Sequence, residues 1–550
     1  MSRRATPFLW RALLVIVLVL GSGGCRQRRG PVAINVDLGG EPHTIDPGMA
    51  EDAASIQVDE LLFLGLTDLD DATAEVTPEL AARWEVSPDG LTWRFTMRDD
   101  VYWVQYDPRA ERFDKKRPVT AHDVAYGVIR TLEATTASSS AHLLYLIKNA
   151  EAFNTGRLTD PEQVGVRVSG DYAIEFTLER PASHFAGIAG LWMARPVPRE
   201  VIEQFGERWT EPGNIWTNGP YALARWEHDR SMLMLKNPHY YNAKSVTIER
   251  IAWSMISHDA ERLAQYKGHK LDAVTLSSRS LESVRADPEL AGELQIAPGM
   301  GTYFFAFNVS KPPFDSPLVR RAFSHALDRQ ALVGNVLEGG GLPARTFASP
   351  GIWGNPADDP AYVGIKFDPA LARKLLADAG YPDGQGLPEV TLYFNADRTH
   401  EKIAQFVVRS WKQVLGVDVK LVGQEWKQYY RTVTQGPPQI FRPAWAPDYP
   451  DEGDWLLAFH SGHGELRTRW RSPEFDALLE QATLATDPAA RRRAYARAEE
   501  ILCVEEAVVM PLYHDTRPVL SRSYVERTYS LLGAEHVDRW RVVSGRPAVP

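Results

Sequence analysis

The stretch from Asp368 to Trp445 constrains the fold more than any other, because helical and strand-like hydrophobic periods alternate along it. "DPALARKLLADAGY" predicts a helix in which Asp368 is the N-cap and Pro369 takes the first helical position. Leu371, Leu375, Leu376 and Ala379 fall on one face of it, and Gly380 stops it. A strand follows in "EVTLYF" (Glu389 to Phe394), then a helix from His400 to Leu415 and a strand in "VDVKLV" (Val417 to Val422). A further helix near Trp426 to Thr432 leads into the strand "QIFRPAW". Strands separated by helices are joined by crossovers, which parallel pairing requires, so the pattern reads as a parallel α/β unit. Ligands of open α/β sheets sit at the carboxyl ends of the strands. The residues just past "QIFRPAW" are therefore the first place to look for a site.

That place holds "WAPDYPDEGDWLLAF", residues 445 to 459, with Asp448, Asp451, Glu452 and Asp454 between Trp445 and Trp455. Three chemistries use such acids: a catalytic carboxylate pair, a calcium loop, or an anchor for a cationic ligand group. The calcium template fails, since Asp451 follows Asp448 at the wrong interval and Phe459 stands where the bidentate acid belongs. A glycosidase-type pair leaves no local spacing signature, because its two acids meet only in space. The ordinary reading of Asp451, Glu452 and Asp454 is solvated turn acids and a helix N-cap before "WLLAF".

Elsewhere, "SPDGLTWRFTMRDD" alternates Trp93, Phe95 and Met97 with Arg94, Thr96 and Arg98 after an Asp89-Gly90 turn. This predicts an antiparallel hairpin strand with one buried face. The charged stretch from Gln105 to Arg117 reads as an exposed loop or hairpin tip. A net charge of -10 and the lack of a basic, aromatic-interleaved stripe argue against nucleic-acid binding. No phosphate loop of the GxxxxGK[ST] type occurs, and "GQG" at Gly384 to Gly386 lacks the third glycine of a dinucleotide loop. The zinc-protease template fails because "HEKIA" puts Ala404 where the second histidine belongs. GxSxG and SxxK motifs are also missing. No catalytic residue, metal or cofactor is expected.

Arg3, Arg4 and Arg11 precede the apolar run Ala12 to Leu20, and "GSGG" precedes Cys25. This order predicts a removable export signal over residues 1–25, and the apolar run is too short to span a bilayer. Small residues before the cysteine resemble a bacterial lipobox, with Ser22 where leucine is usual, so Cys25 is the expected lipidation site. "SRRATPFL" also resembles a twin-arginine signal with shifted spacing, which leaves the export route open. Cys503, in "RRRAYARAEEILCVEE", reads as a buried core thiol.

Six collinear phrases carry a resemblance to a known family. They are "AARWEVSPDGLTWRFTMRDDVYW", "RPVTAHDVAYGVIR", "FGERWTEPGNIWTNGPYALARW", "LKNPHYYNAKSV", "FNVSKPPFDSPLVRRAFSHALDR" and "GQEWKQYYRTVTQG". From about Val32 onward the chain resembles the family 5 extracytoplasmic solute-binding proteins of ABC importers, most closely the oligopeptide-binding type. The resemblance implies an α/β, two-lobe periplasmic-binding-protein-like clamp of three domains, with an antiparallel portion in domain II. Domain I would comprise 31–63, 199–300 and 516–550, domain II 64–198, and domain III 301–515. It also implies a non-enzymatic monomer outside the cytoplasmic membrane, in the periplasm or lipid-anchored at the membrane's outer face, that delivers peptides to a permease.

The family's site residues carry over by position. Asp448 matches the aspartate that pairs with the peptide ammonium. Ala444 and Ala446 on one lobe, and Glu51, Asp52 and Ala53 on the other, match backbone contacts to an extended peptide bound as an added strand. Trp426 and Trp445 match pocket tryptophans, with core packing the ordinary alternative. Arg442 and His400 match residues that meet the peptide's carboxyl end; a surface ion pair and a loop histidine are their ordinary alternatives. Leu337, Val433 and Ser140 stand where relatives carry lysine, arginine and tyrosine, and Gly301 and Ala446 replace a disulfide, so ligand length is not transferable. Oligosaccharides, nickel chelates and opines are other ligands within the family. A carboxylate-dependent hydrolase and a structural lipoprotein are the alternatives from other classes.

Overall fold

The computed structural model describes residues 32–443, 445, 447, 449–462, 466–485, 487–531 and 533–543. The expectations at Cys25, Ala444, Ala446 and Asp448 lie outside the described residues.

Among the described residues the N-terminal half builds four antiparallel or mostly antiparallel sheets, a small one of Thr67–Leu69 with Val76–Pro78 and three larger ones on one core. In the first, Ala33–Asp37 pairs parallel with Arg250–Ser254, which pairs antiparallel with Ser231–Lys236, itself paired to Tyr221–Glu227. In the second, Thr92–Met97 lies between Ala81–Val86 and Ala173–Thr177, with Val166–Val168 at the edge. Trp93, Phe95 and Met97 are buried while Arg94 is exposed, as the alternation predicts. Phe176 and Phe185 pack on these rings at centroid distances of 5.3 to 6.4 Å. The third sheet corrects the reading of residues 105–117: the charged stretch forms most of a hairpin, Tyr102–Asp107 against Arg112–Pro118, and only its tip is a turn. Ile34, Trp253, Phe95 and Trp103 all belong to one continuous apolar cluster, so this half is a single lobe.

The other lobe is built on a seven-stranded mixed sheet. Two long strands, Leu294–Phe307 and Val509–Ser521, pair antiparallel. Ile440–Phe441 joins the former, and Val390–Asn395 then Val419–Gln424 continue the sheet in parallel. Successive side chains of a strand point to opposite faces. Accordingly Phe305 and Phe307 enter one core with Leu392 and Trp411, while Phe304 and Ala306 enter another with Phe347 and Trp455. The predicted parallel unit is thus present, flanked by apolar layers on both faces as parallel strands demand.

Its helices form where the sequence marks them. Asp368 caps Pro369–Asp378 by accepting the Leu371 N–H at 2.9 Å. Arg398–Leu415 is capped by Asp397 and ended by Gly416 at φ 74°, a left-handed conformation that favours glycine. Ile403, Val407, Trp411 and Leu415 recur on the one face of this helix that meets the sheet.

Between Pro298 and Thr302 the two long strands lose register, with Gly299, Met300 and Gly301 set against Asp515. A Cβ on Gly301 would lie 2.0 Å from Asp515 Oδ2, so the close approach requires glycine. On one side of this bulge the strands pack, through Leu294 and Leu520, with Ile256 and Tyr266. Beyond it they enter the sheet core of the second lobe.

Candidate functional site

The sheet brings three loops together at the carboxyl ends of its parallel strands. Val390–Asn395 is followed by His400, Val419–Gln424 by Trp426, and Ile440–Phe441 by Arg442 and Trp445. Arg442 Nη1 donates to Asn395 Oδ1 at 3.1 Å, and its guanidinium lies 5.0 Å from the Tyr303 ring centroid. The Tyr429 hydroxyl donates to the Arg442 carbonyl, which fixes the backbone as well. Among the described residues no carboxylate forms an ion pair with Arg442, and its Nε is buried without a hydrogen-bond partner there. Its charge is felt at longer range by the buried Asp515, whose carboxyl is raised by burial and lowered in part by Arg442. Among the described residues, the groups that Arg442 touches are neutral.

His400 sits in the first turn of Arg398–Leu415, so it is a helical residue and not a loop histidine. Its Nδ1 is 3.1 Å from the Tyr303 hydroxyl, whose ring stacks on Tyr513 at 5.2 Å. Burial, aided by the Arg442 charge, pushes the imidazole down to about 4. At neutral pH this histidine is therefore uncharged, and Arg442 carries the positive charge of the pair.

Trp426 is 49% exposed and Tyr430 58% exposed, their ring centroids 6.1 Å apart. Core packing is thereby excluded for Trp426; it is an open aromatic surface. Trp445 is half-buried against the core that contains Phe304 and Trp455, and its indole N–H is buried without a partner among the described residues. Tyr303, Tyr429, Tyr430 and Asn395 were not singled out by sequence reasoning. The available signal was positional: Asn395 directly follows the predicted strand Glu389 to Phe394, and Tyr429 and Tyr430 lie within four residues of Trp426.

On the first lobe, the loop before Ala53–Leu62 is anchored by Asp46. That carboxylate takes a bidentate pair from Arg130 at 2.8 and 2.6 Å and the Trp209 indole N–H at 2.9 Å. Trp192 Nε1 donates to the Ala50 carbonyl at 2.9 Å. Asp52 caps the helix, its Oδ1 accepting the Ala54 and Ser55 N–H groups, both at 3.0 Å. Burial opposes its charge, but these bonds and those from the Ser55 hydroxyl and His43 N–H hold it below the usual carboxylate range. The Asp52 side chain is thus committed locally, Glu51 is exposed, and Ala53 opens the helix. Between the lobes, Trp84 and His184 on one side and Trp353, Tyr449 and Leu484 on the other line a gap of about 790 Å³.

The acids at 451 and 452 overturn their reading as solvated. Asp451 does cap Glu452–Leu457, accepting the Gly453 N–H at 2.9 Å, but it is only 7% exposed. Both of its oxygens lie 2.7 Å from Arg491 Nη2. Glu452 is completely buried beside Glu499, which accepts N–H groups of Phe347 and Ala348. Burial, then the Glu499 charge, pushes Glu452 well above the ordinary range, so the pair holds a proton at pH values where a free carboxyl has lost its own. Local sequence could not show this, because Glu499 and Arg491 arrive from the distant helix Pro488–Glu500. Cys503 is buried beside the same acids, as its pattern suggested.

Comparison with known proteins places this geometry. Residues 75–465 match the family model for bacterial extracellular solute-binding proteins, family 5. The chain is 31% identical over 525 residues to the oligopeptide-binding protein OppA of Bacillus subtilis, covering 92% of this chain and 93% of that one. The unliganded open form of the murein tripeptide-binding protein MppA superposes with a TM-score of 0.84 at 28% identity, covering 93% of this chain and 98% of its own. Another MppA structure, from Escherichia coli, gives 0.63 at the same identity, covering 94% and 99%. At equal sequence identity the chain superposes better on the structure described as the unliganded open form. The two-lobe α/β clamp and the full-length likeness together establish that the chain belongs to the family 5 bacterial extracellular solute-binding proteins.

Proposed function

We propose that this chain is the peptide-binding extracytoplasmic component of an ABC importer, enclosing oligopeptides between its lobes and delivering them to a permease. The observation that carries the reading is Arg442, a cation at the carboxyl ends of the parallel strands with neutral partners and no ion pair to a described residue. Such a group suits a ligand carboxylate, and charge-assisted pairing strengthens where a closed cleft excludes water. The neutral His400, beside Tyr303, offers a hydrogen bond to the same ligand end.

Asp448, six residues beyond Arg442, is proposed as the partner of the peptide ammonium. Backbone groups at Ala444 and Ala446 on one lobe and Glu51, Asp52 and Ala53 on the other would pair with the peptide as an added strand. That mode fits Asp52, whose carboxylate already caps a helix and whose carbonyl accepts the Ile56 N–H, so a ligand would meet its backbone and not its side chain. Trp426 and Trp445 would line side-chain pockets. The proposed domains are 31–63 with 199–300 and 516–550, then 64–198, then 301–515. The bulge at Gly299 to Gly301 lies on the strands shared between lobes and suits a hinge.

Family members are binding proteins, which favours a binding role over the hydrolase alternative. Among the described residues no helix is long and apolar enough to cross a membrane. Attachment would rest on lipid at Cys25 after export, with the mature chain a monomer. Native mass spectrometry of the purified protein tests the ligand class. Co-purifying peptides support the reading, whereas exclusive recovery of glycans, metal chelates or other solutes without an α-amino group refutes it.

A further inference from the structure

Where the C-terminal segment closes on the first lobe, His536 is 8% exposed and faces carboxylates on both sides of its ring. Its Nε2 lies 3.5 Å from Asp71 Oδ1, 3.8 Å from Glu60 Oε1 and 3.8 Å from Asp68 Oδ1. These separations exceed an ordinary hydrogen bond of about 2.7–3.2 Å. Its Nδ1 faces Asp538 Oδ1 at 4.0 Å. The Asp71 side chain is itself only 8% exposed, and its Oδ2 is buried with no partner among the described residues. Glu60, Asp68, Asp71 and His536 all line one cavity of about 180 Å³, ample for an ion and its waters.

We infer that Glu60, Asp68, Asp71 and His536 form a binding site for a divalent first-row transition ion, with zinc the best match. A tetrahedral zinc with bonds of about 2.0–2.1 Å has ligand-to-ligand edges of about 3.4 Å. The observed Nε2 edges of 3.5 to 3.8 Å already approach that figure. One donor atom each from Glu60, Asp68 and His536 falls within 4.8 Å of the others, so movements of about an ångström close these three around an ion, with Asp71 beside them at 3.5 Å from Nε2. The surrounding groups have the orientation that metal ligands receive. Asp538, whose Oδ1 is 4.0 Å from Nδ1, would have to close to hydrogen-bond distance to hold the Nδ1–H and leave Nε2 as the lone-pair donor, the usual carboxylate–histidine–metal relay. Arg195 Nη2 takes the outer oxygen of Glu60 at 2.6 Å, and Arg539 takes the outer oxygen of Asp68.

Charge points the same way. The carboxylates of Glu60, Asp68, Asp71 and Asp538 meet the guanidiniums of Arg195 and Arg539, which leaves an excess of negative charge around the ring. An imidazole among the donors selects zinc, cobalt or nickel over calcium and magnesium. The ion would tie the helix Ala53–Leu62, the strand Thr67–Leu69 and the C-terminal segment into one unit. No metal template appears in the sequence because the donors come from positions 60, 68, 71 and 536, far outside any local spacing.

The test is zinc titration by calorimetry on the EDTA-treated, purified full chain, paralleled by the visible absorption of bound cobalt. Wild type should bind one equivalent and give an intense tetrahedral cobalt band. His536→Ala should weaken zinc binding at least 100-fold, and Asp538→Asn by about 10- to 100-fold through loss of the relay. Because His536→Ala leaves buried acids without a partner, Asp71→Asn serves as the second variant. It should keep the wild-type circular dichroism spectrum, lose zinc affinity at least tenfold and lose the zinc-dependent rise in Tm. The inference is overturned if wild type shows no saturable zinc or cobalt binding, or if the folded Asp71→Asn protein binds as wild type does.

Discussion

Replacing Glu452 by glutamine should change how stability depends on pH more than it changes stability at any one acid pH. Glu452 is fully buried beside Glu499, and its folded pKa lies well above the unfolded value of 4.5, first because of burial and then because of the second acid. Between those two values the native pair holds a proton that the unfolded chain has released. Stability must then fall as pH rises, by about 1.4 kcal/mol per unit for one proton. The loss begins above the unfolded value of 4.5 and continues up to the raised pKa of the native pair. In Glu452→Gln the new side chain would keep the shape, present an NH2 group to the Glu499 carboxylate and titrate no proton. Urea unfolding at 25 °C, at half-unit steps across this range, compares the two proteins. The variant should gain on wild type as pH rises above 5, by up to about 1.4 kcal/mol per unit until the native pair itself titrates. Other buried acids, such as Glu79 and Asp59, contribute equally to both proteins and cancel in the difference. A stability difference that stays constant within about 0.5 kcal/mol from pH 5 to 7 would refute the shared-proton argument.

Asp448→Asn should weaken peptides with free amino termini by about 2 to 5 kcal/mol in calorimetry, while an N-acetylated version of the same peptide, already weak, loses little more. Equal wild-type affinity for the two peptides would return Asp448 to the turn acids. Saturating peptide should contract the chain in small-angle scattering, and an unchanged radius of gyration with peptide bound would rule out clamp closure. Peptide should also raise the Tm, since it binds only the native state. Cys25→Ala should release the protein from the membrane fraction without altering peptide affinity; complete retention there after signal cleavage would disprove lipid anchoring at that residue.

Local chemistry made several elements legible before any packing was known. Asp368, Pro369 and Gly380 bound a helix because capping and backbone restriction act within a few residues. Trp93, Phe95 and Met97 share a buried face because side chains of a strand alternate. The order of helices and strands from residue 368 to 441 was enough to choose parallel pairing, and hence to aim at the carboxyl ends where His400, Trp426 and Arg442 meet. Tertiary structure alone decided what those residues touch. Arg442 finds Asn395 across 47 positions and His400 finds Tyr303 across 97. Asp451 and Glu452 read as solvated acids because nothing nearby in sequence announces Arg491 or Glu499. The same holds for His536 and the carboxylates of Glu60, Asp68 and Asp71, brought together by the closure of the C-terminal segment on the first lobe. Caps, turns and hydrophobic periods are short-range properties of the chain. Burial, charge pairing and pKa depend on which distant segments pack together, and that was settled only in three dimensions.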